Sequence, residues 1–303
     1  MRLLPWPLFL LLPALHAGAA TPVPASAPGA VAPTSGATET GPHLPTREQL
    51  SRYPWLSKTV LVRSLEATIA PPPGFTRVAV EPGSFAAWLR SLPLRPAGTP
   101  VRTFLGDEVL AGDDPLLAAV VELDVGTTGL QQCADSIIRL HAEWLWSQGR
   151  KERIAYRFTS GHRAQWTGYA AGDRAEVSGS KVSWVRTAPA ARSHTAFRAY
   201  LDLVFTYAGT LSLQSEKTRP AREDIQPGDF FVEGGSPGHA ILVVEVAVNE
   251  AGERMALLGQ GSIPAQDFHI FTPGQGSPWF SLQGDELVTP FWTPFPWTSL
   301  RRL

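Results

Sequence analysis

Residues 130–148 read LQQCADSIIRLHAEWLWSQ, 19 positions without a proline or glycine, in a chain of 303 residues that carries 28 prolines and 27 glycines. Those two residue types break helices, so a segment this long and free of them is the strongest helix signal in the sequence. Leu130, Cys133, Ile137, His141 and Trp144 are three or four positions apart, which lines them up on one apolar stripe facing a core. Cys133 therefore lies on the buried face and within the first turn. Around this helix the apolar runs are short and bounded by turn residues, and the mixture of a central helix with later strands predicts an α+β fold.

Ser84 is an N-cap for a short helix, FAAWLRSL, that Pro93 must stop. Residues 117–125, LAAVVELDV, alternate too little for a half-exposed strand and read as a buried one. Residues 151–158 and 165–169 are predicted strands, and 197–213 a second helix. The next informative block is 226–260, QPGDFFVEGGSPGHAILVVEVAVNEAGERMALLGQ. Its Pro-Gly-Asp turn leads into an apolar strand and a glycine-rich loop. His239 follows the loop and opens AILVVEVAV, the best strand in the chain, and after a turn MALLGQ forms a second strand ending at Gln260. No self-similar period is present.

The N-terminal residues set the expected compartment. Arg2 followed by about 13 apolar residues and Ala17-Gly18-Ala19 has the form of a cleavable signal peptide over residues 1–19, too short to span a bilayer, which takes roughly 20. Residues 20–45, rich in Thr, Pro, Ala, Ser and Gly, are expected to form a flexible spacer, and 46–303 a single α+β domain. The expected product is secreted or periplasmic, without stable membrane insertion once the signal is removed. With 26 basic against 27 acidic residues and no basic run, nucleic acid is not an expected partner. One cysteine excludes an intramolecular disulfide, a Cys-rich zinc site and an iron–sulfur cluster.

Placed at a helix N-terminus, a thiol gains from the dipole and from unpaired backbone N–H groups, which favour the thiolate and can hold an oxyanion. A buried structural cysteine fits the same stripe. His239 at a strand start can act as a base if an acceptor fixes its other ring nitrogen, and Gln260 is placed to be that acceptor. Gln131 and Gln132 are candidate oxyanion donors. His141 lies about 12 Å along the helix from Cys133, too far to be its base. Asp267 and His269, two apart in PAQDFHI, would share a strand face and can support His239 or bind a metal; without an HExxH-like spacing, neither a metal nor another cofactor is expected. The proline-spaced aromatics from Trp279 to Trp297 read as a packing segment rather than an exposed groove.

A nucleophile on an early helix, a base at a later strand start and an amide on the next strand resemble papain-like thiol hydrolases. The stretch 226–260 resembles NlpC-type and CHAP-type cell-wall peptidases, whose motif runs from a Pro-Gly-Asp turn to a Gly-His strand and a strand with a polar third member. The resemblance implies Cys133 as nucleophile, His239 as general base, Gln260 as orienting residue, and a papain-like core with a central helix packed on an antiparallel sheet. Cys133 and His239 are 106 residues apart, so residues 150–225 would be an insertion. It further implies cleavage of peptide or amide bonds in bacterial cell-wall material, with peptidoglycan or peptide as substrate. The YPW, SFAxWLR, LQQCADSIIRL, GGSPGHA and PAQDFHI segments also resemble a family of secreted bacterial proteins known only as a domain of unknown function. The alternative reading is a non-catalytic envelope binding or assembly protein, with Cys133 structural.

Overall fold

The apolar run behind the glycine-rich loop sets the centre of the molecule, and the computed structural model describes it within residues 41–274 and 276–303. The expected signal peptide and residues 20–40 of the expected spacer lie outside the described residues. Backbone pairing reaches back to His43, which exchanges two 2.9 Å hydrogen bonds with Val62. The elements that position the site are, in chain order, β1 (Leu117–Val120), α1 (Cys133–Ser147), α2 (His194–Tyr207), α3 (Thr210–Gln214), β2 (Phe230–Glu233), β3 (His239–Asn249), β4 (Arg254–Gln260), β5 (His269–Phe271), β6 (Glu286–Thr289), β7 (Trp292–Pro296) and β8 (Leu300–Arg301). The main sheet runs β8-β2-β3-β4-β5-β1, with Phe75–Arg77 added to β3 and Phe280–Ser281 to β4, and its pairings are antiparallel. Helices and strands are mixed, with sheet predominating.

β3 is buried along its first nine residues because both of its faces are covered. Ala240, Leu242 and Val244 face the core that holds α1, whereas Ile241 and Val243 face a second core. A register shift against β4 between Val243 and Glu245 inserts one residue, so beyond it Ala247 faces the α1 side and Val246 the other. Glu245, at the shift, is fully buried and takes hydrogen bonds from Arg77 Nε (3.1 Å) and from Arg90 Nε and Nη2 (2.6 and 2.8 Å). Ser84 caps the short helix that delivers Arg90. The second core is closed by the C-terminal aromatics: Phe280 and Phe295 pack with Phe231, Ile241 and Phe271, so this segment wraps the sheet face opposite α1.

Several expectations change. Of the strand expected over 151–158, only Ala155–Arg157 is extended, after a 3₁₀ turn at Lys151–Arg153. The long helix begins at Cys133, not Leu130. Residues 166–170 form a helix, because Trp166 and Ala170 sit one turn apart on the buried side, with Trp166 against Phe197 and Tyr200. The second helix is two: α2 stops at Tyr207 and α3 starts at Thr210, with Ala208 and Gly209 extended between them.

Candidate active site

The start of α1 is set by its neighbours in sequence and across the fold. The N-cap residue Gln132 is extended, and its N–H donates to Asp135 Oδ2 at 3.1 Å, one half of a capping box. A Cβ on Gly261 would lie 2.5 Å from Ser136 Oγ and 3.2 Å from the Gln132 carbonyl oxygen, so glycine at the end of β4 lets the helix N-terminus come this close to Gln260. Cys133, the first helical residue, is 3% exposed. The backbone N–H of Ala240, the residue after His239, points to its thiol. Burial pushes the thiol above its ordinary value, and the N–H groups of Ala240 and Ala134 pull it only part of the way back. Desolvation thus outweighs the helix-terminus effect anticipated from sequence. Two residues on, burial pushes the Asp135 carboxyl up to about 8, and its Oδ1 has no partner. At neutral pH the N-terminus of α1 therefore presents a neutral thiol beside a neutral acid.

His239 opens β3 opposite Glu233 of β2. The loop before it is tight: a Cβ on Gly238 would lie 2.5 Å from Thr210 Oγ1 and 2.8 Å from the Glu233 carbonyl oxygen. The imidazole is 5% exposed, with Nε2 2.7 Å from Gln260 Oε1. Trp292 covers it at 5.3 Å between ring centroids and is itself anchored by a 2.7 Å bond from Nε1 to Glu233 Oε2. Burial lowers the basicity of His239, and the bond to Gln260 restores part of it. The other end of the Gln260 amide lies 3.4 Å from His269 Nε2, and His269 Nδ1 lies 3.1 Å from the Asp267 carbonyl oxygen. Gln260 and His269 are direct cross-strand partners. Burial holds His269 down to about 4.

Of the residues nominated from sequence, the structure joins His239 to Gln260 and sets Cys133 against the amide of Ala240. Gln131 is directed elsewhere: its Oε1 accepts from Arg139 Nη1 at 3.1 Å and its Nε2 donates to the Asp124 carbonyl oxygen at 3.3 Å. Gln132 lines the cleft beside Cys133, its Nε2 bonded to the Gly129 carbonyl oxygen at 3.2 Å. Asp267 and His269 do not share a strand face, because β5 starts at His269 and the Asp267 carboxylate takes the Arg102 N–H (2.9 Å) and pairs with Arg95 (3.0 Å). Among the described residues there is no group of three or more His, Cys, Asp or Glu side chains placed to hold a metal. His141, half-buried, bonds Tyr156 Oη through Nδ1 at 2.8 Å and lines the rim of a separate hollow. The roles of Asp135 and Trp292 were not read from sequence. Asp135 carried one local sign, an acid two positions after the cysteine, whereas nothing local pairs Trp292 with His239.

The model of the family described as "Domain of unknown function (4846)" matches residues 65–302. The chain belongs to this family. No curated protein and no solved structure matches the chain. The span matched to the domain of unknown function (4846) contains Cys133, His239, Gln260 and His269, so the whole arrangement lies inside the family domain.

A cleft of about 290 Å³ opens past Cys133, between the start of α1, the 208–211 segment and the Gly235–Gly238 loop. Leu211 and Ile263 stand exposed on its rim, and Gln132, Asp135, Thr159, Thr210 and Ser236 supply polar side chains. A larger hollow of about 540 Å³ surrounds His141 and Arg150, but its histidine is committed to Tyr156. The first cleft thus combines a thiol, a helix N-terminus and an apolar rim, next to a histidine held by an amide.

Proposed function

We propose that this protein is a papain-like thiol hydrolase of the NlpC and CHAP type that is exported and cleaves peptide or amide bonds in cell-wall material. The observation that carries the reading is the 2.7 Å bond from His239 to Gln260 at the start of the strand whose next amide faces Cys133. A donor Nε2–H on His239 leaves Nδ1 with its lone pair, the form a general base needs. In the reaction, His239 takes the Cys133 proton as sulfur attacks the amide carbonyl. The oxyanion is met by the N–H groups at the start of α1, with the Gln132 amide a further donor. His239 then protonates the leaving amine, and a thioester remains. Water deprotonated by His239 hydrolyses the thioester and returns the thiol. Because burial favours the neutral forms of both groups, proton transfer accompanies attack instead of preceding it in a resting ion pair.

Export rests on the apolar leader of residues 1–19, and the cell-wall substrate on the resemblance of residues 226–260. Digestion of purified peptidoglycan tests the reading: the wild type releases fragments with new amino ends, and Cys133→Ala does not. Equal release by both would end it.

The low exposure and raised pKa of Cys133 also favour a second reading, a non-catalytic envelope binding or assembly protein on the same fold. That reading expects peptidoglycan to be retained by the protein with no product released and no alkylation of Cys133 by iodoacetamide at neutral pH.

A further inference from the structure

We infer that His269 is a positioning residue that fixes the orientation of the Gln260 amide and, through it, the tautomer of His239, so that Nδ1 is left open for the Cys133 proton. The inference rests on the thiol-hydrolase reading. It follows from the direction of three hydrogen bonds. The Asp267 carbonyl oxygen, 3.1 Å from His269 Nδ1, can only accept, so Nδ1 carries the hydrogen. His269 is fully buried and stays neutral above about pH 4, so it has a single N–H and its Nε2 is an acceptor. Only the NH2 end of Gln260 can satisfy that acceptor, at 3.4 Å. Its Oε1 then faces His239 Nε2 at 2.7 Å, which must be the protonated nitrogen.

Turning the amide over would set two acceptors, Gln260 Oε1 and His269 Nε2, against each other in a buried site. It would also give His239 a hydrogen on Nδ1, where it can no longer take a proton from sulfur. Gln260 alone has no preference between the two orientations. The choice is imposed from the neighbouring strand, through a cross-strand pair that ends on a backbone carbonyl.

Nitrogen-15 chemical shifts of the histidine rings in the full chain test this, with His239 identified by its loss in His239→Gln. The wild type is expected to hold His239 as the Nε2–H tautomer. His269→Phe, which keeps a buried ring and removes the acceptor, is expected to populate both tautomers and to lower kcat in proportion to the Nδ1–H share, about twofold for an even mixture. KM should change by less than about twofold. Adding Gln260→Glu to His269→Phe is expected to restore the Nε2–H tautomer and most of the lost rate, since a carboxylate accepts in either orientation. A wild-type His239 found as the Nδ1–H tautomer overturns the inference without any variant. So does a His269→Phe protein that keeps tautomer and kcat, or one whose losses Gln260→Glu does not repair. If the tautomer responds as expected in a protein that cleaves nothing, the positioning stands and the hydrolase reading falls.

Discussion

Two buried polar clusters flank the start of α1, and they are built on opposite rules. On the outer side, Arg139 is wholly buried and every nitrogen of its guanidinium has an acceptor: Nε with Glu143 Oε1 (2.8 Å), Nη1 with Gln131 Oε1 (3.1 Å) and Nη2 with Asp124 Oδ1 (3.0 Å). Glu143, equally buried, also meets His194 Nε2 at 2.9 Å. This network is charged and reaches the surface through the half-exposed Asp124. On the sheet side, His239, Gln260 and His269 are held by bonds that run in one direction and terminate at the Asp267 carbonyl. That chain carries no full charge, and its remaining end, His239 Nδ1, is not spent within it. A network in which each guanidinium nitrogen has an acceptor holds the fold, whereas a directed chain with one uncommitted nitrogen is available for chemistry.

The sharpest break is Arg139→Ala. It takes the guanidinium from the buried Glu143, leaving only His194 beside that carboxylate, and is expected to lower stability by about 3–5 kcal/mol in urea titrations, while alkylation of Cys133 in the folded protein changes less than about twofold. A loss below about 1 kcal/mol would remove the contrast. Acid strikes the other cluster. His269 titrates near 6.5 when unfolded and near 4 when folded, so below 6.5 the unfolded chain binds more protons. Its contribution is complete above 6.5 and is lost as pH falls toward 4, roughly 2–3 kcal/mol over that window. The groups facing it are Gln260, the Asp267 carbonyl, the Asp267 charge and His239, with Phe271 and Phe291 rings alongside. His269→Phe should flatten this part of the stability–pH curve, and an unchanged curve would mean that His269 is not held neutral. Gln260→Ala should be mildest, costing about 1–2 kcal/mol by leaving the buried His239 N–H without an acceptor. It is also expected to slow turnover far more than Arg139→Ala, measured per folded molecule.

The same division explains what the sequence made legible. The helix at Cys133, the central strand at His239 and the strand ending at Gln260 were readable because apolar periodicity and glycine or proline boundaries are local signals. The joining of His239 to Gln260 was readable because it needs only one strand beside the next. Gln131 was misplaced because its amide answers Arg139, eight positions on, and the buried network that claims it has no sequence signature. The break at Ala208 and Gly209 and the short helix at Trp166 are likewise decided by tertiary packing. Trp292 lies over His239 only because the C-terminal hairpin folds back across the sheet. The lowered thiol pKa anticipated for Cys133 followed from helix geometry alone, and the burial that reverses it belongs to the whole fold.

The central claim is that Cys133 forms a bond to the substrate with His239 as its proton partner. Acid quenching during turnover of a peptidoglycan-derived peptide, followed by mass analysis of the tryptic fragment carrying Cys133, tests it most directly. The fragment is expected to gain the mass of the acyl portion of the substrate in the wild type, with the gain absent after prior alkylation. Product accumulating while this fragment never carries an acyl group, and at the same rate in Cys133→Ala, would contradict it.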